Sequence, residues 1–523
     1  MPIFSDTPLT IITSSAAVIG LFSWQWWQQK KYSSLRVLPS PPRHWLLGNA
    51  LQLMDAAKTS KYFLLLFNWA KQLGSTYVIW AFNKPIVILN KPRIIEELIV
   101  HGQKDGAFAR DPELRELWGS LFGGPILIQQ EGSEWQWRRQ TFNQSFTSSH
   151  LSAYFELVYQ SCMQVIEILQ GATQEQKVIQ VDPLFAELTM RLICRLMLGI
   201  PLDKKSLTHE GPPLEPQKLY EALSVLTRQF TAEAAGENKW LKYIPTKSKQ
   251  SYWAAKRFLQ EFVSPRVDLA LQITGRKQLS SVEVNPLFEK SILVQLAKQP
   301  KYNHQMLCAE TIGMIFAGTD TTAHTLSFTV GALGLNSRVF QLAQQEVDRV
   351  WQLDDGINSK SLKKLTYLQG IIKESMRLYP VTNGSTGCIT TRDTVIAGVN
   401  IPKGTSINWS ILAAGRDPQE YPQPDDFLPE RWFKKQQRDA QPLTMLVFGS
   451  GTHRCLGESL AMLEATVMLA LLLRYFDWEI VNGRRSLEQL GQNLTVFPQD
   501  RMPVRFKVRE LGDNTLHPIS QES

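Results

Sequence analysis

Two periods organise the apolar residues of this chain. Helical spacing holds at positions 368, 371, 372, 376 and 378, which predicts an amphipathic helix over roughly 367–378. From Glu310 to Leu326 the chain is apolar on most sides, the mark of a long helix buried in a core. Residues 458–465 (ESLAMLEA) favour helix, and 132–146 reads as a basic amphipathic one. Alternating or β-branched runs at 76–80 and 85–89 predict two strands of a small sheet, with a second short β region over 395–405. Most of the remainder up to about 380 reads as helix, and the polar, proline-containing stretch 201–217 as an exposed loop. The pattern therefore predicts a mainly α chain with small β-sheets, class α+β, without internal repeats.

The N-terminus breaks this pattern. Between Thr7 and Gln29 there is no charge, residues 16–22 are apolar, and Trp24, Trp26 and Trp27 form an aromatic belt before Lys30 and Lys31. That length suffices to cross a bilayer, with the positive flank holding the following domain on the cytoplasmic side. A secretory signal would carry its positive charge before the apolar run. The alternative is a helix lying on the membrane surface. The expected division is a membrane anchor at 1–29, a basic, proline-rich hinge at 30–45, a globular body at 46–511 and a disordered tail at 512–523.

Charge and cysteine content narrow the classes. The net charge of +8 and pI near 9.1 come from dispersed residues without a basic aromatic stripe, so no nucleic-acid partner is expected. Five cysteines, at 162, 194, 308, 388 and 455, show no paired spacing, which argues for a reducing compartment and against a disulfide framework.

One of them stands in the run Phe448-Gly449-Ser450-Gly451-Thr452-His453-Arg454-Cys455-Leu456-Gly457. A thiolate that ligates a metal inside a flat macrocycle must be closely approached. Gly451 and Gly457 remove side chains on both sides of the sulfur, Phe448 can lie against it, and the helix that follows turns its N-terminus toward it. The site reads as a proximal haem ligand, Cys455 being the metal ligand.

Phe-x-x-Gly-x-x-x-Cys-x-Gly resembles the ligand loop of the cytochrome P-450 family of haem-thiolate monooxygenases. Three further motifs, in the family's order along the chain, extend the resemblance over roughly 40–508. Glu374-Ser375-Met376-Arg377 is similar to the family's Glu-x-x-Arg, which implies a buried pair completed by a later loop, here Arg431 of Phe427-Leu428-Pro429-Glu430-Arg431-Trp432. Ala317-Gly318-Thr319-Asp320-Thr321 matches Ala-Gly-x-Asp-Thr and implies the distal oxygen site. There Gly318 would open a groove, and the Thr321 hydroxyl can bond the Ala317 carbonyl four residues back. Trp135 and Arg139, four apart, resemble the Trp-x-x-x-Arg helix and imply contact with a haem propionate.

The resemblance implies the P-450 fold, with haem b between a long distal helix and the proximal cysteine loop. Breaking the O–O bond of dioxygen consumes two protons, and it implies that Thr321 donates a hydrogen bond while Asp320 relays protons as a general acid. The chain departs from the family twice. His453 stands where arginine is usual and carries a pH-dependent charge. Cys388 stands where many members place a propionate-binding arginine, so either Arg392 takes that contact from a shifted position or the propionate is held less tightly. Cys388 itself is taken as an apolar wall residue.

The family's two electrons arrive singly from a ferredoxin or flavoprotein reductase, and Lys363, Lys364, Lys434, Lys435, Arg438 and Arg454 could steer such an acidic donor. Resemblance places pocket walls at Phe108, Leu117, Phe122 and Ile126, at Ile312, Phe316 and Ala317, and at the loop from Val381. These are mostly apolar, so the expected substrate is lipophilic: a fatty acid, terpenoid or sterol-like molecule. Ala317 cannot esterify haem as the glutamate of some fatty-acid hydroxylases does. Besides a monooxygenase, two readings stay open: a haem-thiolate isomerase or dehydratase acting on a hydroperoxide without external electrons, and a non-catalytic haem-binding or sensor protein.

Overall fold

A helix of 31 residues, His304–Gly334, runs through the middle of the molecule. The computed structural model describes residues 30–102, 105–200, 212–234, 246–275, 285–384, 387–433 and 445–510. The predicted anchor, residues 201–211 of the polar loop, and the predicted tail lie outside these. The central helix starts where Asn303 Oδ1 accepts the Met306 N–H at 2.8 Å, satisfying one of the free donors of the first turn. Its nearly all-round apolar surface is covered by Val181–Leu198, Lys247–Ile273, Thr366–Leu378 and Glu458–Tyr475. Helix-period segments of the sequence thus become the layers of one core.

The β-structure is small and dispersed. One five-stranded sheet has the spatial order Thr76–Ala81, Lys84–Leu89, Ser406–Trp409, Cys388–Thr390, Phe108–Arg110. Ile86 runs parallel beside Ser406, and Arg110 lies antiparallel opposite Cys388. The second predicted β region divides: Thr394–Ile396 and Val399–Ile401 form a hairpin, while the strand after it joins the five-stranded sheet. A further sheet, Val178–Gln180 with Pro503–Val508 and Phe476–Ile480, and the hairpin Leu490–Gln492 with Val496–Pro498 were not apparent from periodicity.

Within the stretch expected as a hinge, Tyr32, Leu35 and Leu38 are buried against the sheet, the Val78 N–H donates to the Pro39 carbonyl at 2.9 Å, and Asn49 ties Pro42 to Trp80. Among the described residues no helix is long and apolar enough to cross a membrane.

Where Glu458–Tyr475 packs on the central helix it buries a carboxyl. Burial pushes Glu464 up to about 8, partly offset by its hydrogen bond with Thr322. The unfolded chain releases this proton near ~4.3 while the folded chain retains it, so stability falls as pH rises through that window. Glu464→Gln should remove the fall: its thermal midpoint should change less than the parent's between about pH 5 and 8. Parallel midpoint-against-pH curves for the two proteins would sink this assignment.

Candidate active site

The cysteine loop is closed by its own backbone. Gly449 and Gly451 adopt φ of +73° and +65°, a region that side chains disfavour, and this lets the Cys455 N–H return to the Phe448 carbonyl at 2.8 Å. Cys455 is exposed at the mouth of the loop. Its environment is mixed: desolvation pushes the thiol pKa up, while the main-chain N–H groups of Gly457 and Glu458 and the charge of Arg139 pull it down. Upward pressure prevails, so the helix terminus does not by itself deliver the thiolate that the sequence suggested. A cation on the sulfur is needed to complete the deprotonation. At Gly457 an added Cβ would meet no protein atom within 4 Å, which leaves room beside the sulfur. Among the described residues no group of three His, Cys, Asp or Glu side chains is placed to hold a metal ion. A metal at Cys455 must therefore bring most of its own ligands, as haem iron does.

Positive charge gathers nearby. Trp135 and Arg139 stand on the helix Gly132–Asn143, and the Trp135 indole lies 4.3 Å from the His453 ring, centroid to centroid. Burial, then Arg110 and Arg139, lower the His453 pKa to about 4, leaving a neutral imidazole. Among the described residues neither the Arg110 nor the Arg139 guanidinium has a side-chain hydrogen bond or ion pair. Glu131, the closest acid, takes the Arg110 main-chain N–H at 2.6 Å instead. Half-buried guanidinium groups without acids are costly unless an anion joins them, and the two carboxylates of haem meet that need. The residues present fit the group.

Arg110 was not singled out in the sequence. Its position opposite Cys388 in the sheet puts an arginine where the cysteine leaves none, whereas Arg392 is exposed in the turn beyond the strand. Arg110 is thus a further candidate beside the two readings left open, contact from Arg392 or a propionate held less tightly. The only possible signal was pairing between segments about 280 residues apart, which no local pattern records. Cys388 is mostly buried against the apolar sheet cluster, its thiol pushed up to about 12 by desolvation.

On the central helix, Thr321 Oγ1 donates to the Ala317 carbonyl at 2.8 Å, and Ala317 is exposed in the middle of an otherwise buried helix. Asp320 is held above the usual carboxylate range by burial, with Thr495 Oγ1 at 3.5 Å. Gly318 departs from expectation. A Cβ there would come within 2.8 Å of Ile193, so its small size serves close packing against Val181–Leu198 and does not open the groove beside Ala317. One residue along a helix turns the side chain by about 100°, which separates the two roles.

Glu374 is completely buried and accepts five hydrogen bonds. Arg377 donates Nε–H and Nη2–H at 2.9 and 2.8 Å, Arg431 Nε–H at 2.9 Å, Trp432 Nε1–H at 3.0 Å and the Leu428 N–H at 2.9 Å. Arg377 also donates to the carbonyls of Gly415, Pro424 and Asp426. Trp432 and Leu428 were not anticipated as partners.

The expected pocket residues only partly assemble. Phe122, Ile126, Ile312, Phe316 and Val381 share one buried cluster, with Leu117 against it, and the Phe122 and Phe316 rings lie 5.8 Å apart. Phe108 instead belongs to the separate cluster on the five-stranded sheet, its ring filling the space beside Gly102. Of the expected basic surface, Lys364 pairs with Asp354 at 2.5 Å and Arg454 with Glu458 at 2.7 Å, so their charges are largely cancelled locally. Lys363 is exposed, and Lys434, Lys435 and Arg438 lie outside the described residues.

A family model described as Cytochrome P450 matches residues 38–506. The chain is 26% identical over 450 residues to "Probable cytochrome P450 4ac1" of Drosophila melanogaster, covering 85% of each. It is 28% identical over 463 residues to "Cytochrome P450 27C1" of Danio rerio, covering 86% of this chain and 83% of that one. With "Cytochrome P450 4V2" of Rattus norvegicus it shares 24% over 499 residues, 92% of both.

Replacing Glu374 by alanine would strand Arg377 in the core without its carboxylate. The expected cost is about 3–5 kcal/mol, read as a lower urea midpoint. A loss below about 1 kcal/mol, typical of a surface pair, would contradict this burial-based account.

Proposed function

The chain belongs to the cytochrome P450 family of haem-thiolate monooxygenases, and from that premise we propose that it inserts one oxygen atom of O2 into a lipophilic substrate, a fatty acid, terpenoid or sterol-like molecule. The observation that carries the reading is the exposed Cys455 thiol beside a basic cluster whose guanidinium groups form no ion pair among the described residues. In it, Cys455 would hold haem b as thiolate ligand, and Trp135, Arg139, His453 and Arg110 would hold its carboxylates. When bound, haem supplies oxygen binding and an electron-rich iron, made so by the sulfur.

The chain's own residues manage protons and water. Thr321, its hydroxyl held by the Ala317 carbonyl, would offer a hydrogen-bond donor at the exposed point beside Ala317. Asp320, held above the usual carboxylate range by burial, would replace the proton given up. Phe122, Ile126, Ile312 and Phe316 keep bulk water from this point and offer apolar surface to substrate. Glu374, Arg377 and Arg431 hold the approach to the cysteine loop and take no part in the chemistry.

Electrons come from a ferredoxin or flavoprotein reductase. With Lys364 and Arg454 neutralised by acidic neighbours, Lys363 and the stretch holding Lys434, Lys435 and Arg438 remain to meet it. Residues 1–29 anchor the protein to a membrane, with the catalytic body on the cytoplasmic side. An isomerase or dehydratase needs no proton supply to oxygen, and the pairing of Asp320 with Thr321 favours the monooxygenase.

The dithionite-reduced protein under carbon monoxide should show a strongly red-shifted Soret band, absent in Cys455→Ser; a band at the imidazole-haem position in the parent would refute the thiolate. Thr321→Ala should bind haem normally while diverting oxygen uptake to hydrogen peroxide, and equal coupling in parent and variant would remove its role. Arg110→Ala should speed haem loss to apomyoglobin by about tenfold, the effect of about 1.4 kcal/mol, with Arg392→Ala near the parent. The reverse order would return the propionate contact to Arg392.

A further inference from the structure

The segment between Phe122 and the helix Gly132–Asn143 is held to the central helix by a buried ion pair that the mechanism above leaves unused. Arg138 and Glu310, each side chain 2% exposed, meet at 2.9 Å. Both also bind the backbone of that segment. Arg138 Nη1–H donates to the Pro125 carbonyl at 2.9 Å, and Glu310 Oε2 accepts the Leu127 N–H at 3.0 Å. The pair thus grips the residues on either side of Ile126. Within the segment, the Ile126 N–H donates to Gln129 Oε1 at 3.2 Å and its carbonyl accepts from Gln130 Nε2 at 3.2 Å. With both flanks fixed and its own groups tied locally, Ile126 is held against Gly313, where an added Cβ would come within 3.0 Å of Ile126 Cδ1.

Glu310, Gly313 and Ala317 stand at i, i+3 and i+7 of His304–Gly334, so they form one stripe of the helix. The ion pair, the apolar wall and the exposed point at Ala317 follow one another along it. From Gly313 to Ala317 the rise along the axis is about 6 Å. A ligand seated beside Ala317 that reaches further toward the helix N-terminus therefore meets Ile126.

We propose that Arg138 and Glu310 are positioning residues for substrate: by holding Ile126 on Gly313 they set how far a ligand beside Ala317 can extend along the central helix. This rests on the monooxygenase reading, in which Ala317 marks the substrate side. Neither residue touches substrate; bulk toward the helix N-terminus is selected against by the wall they hold. The Trp137 and Tyr302 rings lie 5.1 and 5.6 Å from the Arg138 guanidinium and cover it. Two charges buried in this way gain little stability over apolar residues of the same volume, whereas they fix which groups face each other. A pair kept for stability alone would not need bonds to the backbone on both sides of Ile126.

Glu310→Gln keeps the size and an acceptor for Leu127 but ends the charge pair. In the haem-loaded protein, hydrogen exchange of the peptide covering 125–130, read by mass spectrometry, should quicken about tenfold while exchange in 458–475 stays as in the parent. An unchanged rate in 125–130 overturns the proposal. Imidazole and 4-phenylimidazole, titrated by the Soret shift, report the room beside Ala317. Relative to imidazole, 4-phenylimidazole should bind about tenfold tighter to Glu310→Gln, and Ile126→Ala should give the same gain. The two substitutions together should change the ratio no further than Ile126→Ala alone. A parent-like ratio in Glu310→Gln, an additive change in the pair of substitutions, or both ligands weakened alike with a lower thermal midpoint would leave only a structural pin and overturn the role. Should Glu310→Gln not fold, Glu310→Leu with Arg138→Met removes both charges at similar volume and should keep a midpoint near the parent's with the same gain for 4-phenylimidazole. A double variant that fails to fold, or lacks that gain, overturns the proposal. A parent that binds both imidazoles yet never oxygenates defeats the monooxygenase reading instead, and the titrations and exchange still decide whether the ion pair holds Ile126.

Discussion

A carboxylate with no exposure has to be satisfied on every lone pair, and Glu374 obtains this from donors that lie far apart in the chain. That requirement ties Thr366–Leu378 to the turn Pro429–Trp432, while Arg377 gathers three carbonyls from the segment between them. A surface pair of the same spacing would leave those segments free to drift. Burial turns an ordinary helix-face pair into a clamp that holds Leu428, Arg431 and Trp432 against Thr366–Leu378.

The same rule, applied to unmatched charge, explains the site. Arg110 and Arg139 come together with neutral His453 and form no side-chain ion pair among the described residues, while Cys455 is left with upward pressure on its pKa. Each of these is unfavourable alone. A cationic metal bound in a ring that carries carboxylates relieves both, so the loaded protein is more stable than its parts. Farther along the central helix a polar chain from Arg501 to His324 is internally matched, because Asp182 is flanked by two cationic partners. One cluster is completed by a cofactor and the other by the fold itself.

Helix and strand periods survived into the structure wherever a segment buries one continuous face. This holds for Thr366–Leu378 and for the hairpin of the first two strands, while the central helix, apolar nearly all round, is covered on most sides. The prolines of residues 38–43 suggested stiffness, and Tyr32, Leu35 and Leu38 are buried against the sheet, where apolar side chains gain cover. Gly318 was legible as a small residue but not as a packing contact, since only the neighbouring helix reveals what its missing side chain makes room for. Phe108 was legible as apolar, and the cluster that claimed it was not.

Local chemistry was therefore written in the sequence by itself: the cysteine with its flanking glycines, the acid–alcohol pair on an apolar helix, the Glu and Arg three apart, and the mainly α class. These depend on neighbours within a few residues, where spacing and conformation are nearly equivalent. Only the tertiary structure decided that Arg110 stands across from Cys388, that Trp432 and Leu428 complete the bonding of Glu374, and that Asp182 and Arg501 meet His324. Those contacts join residues from 54 to 319 positions apart. They arise from sheet register and from helices crossing, and neither is encoded in the spacing of any single segment.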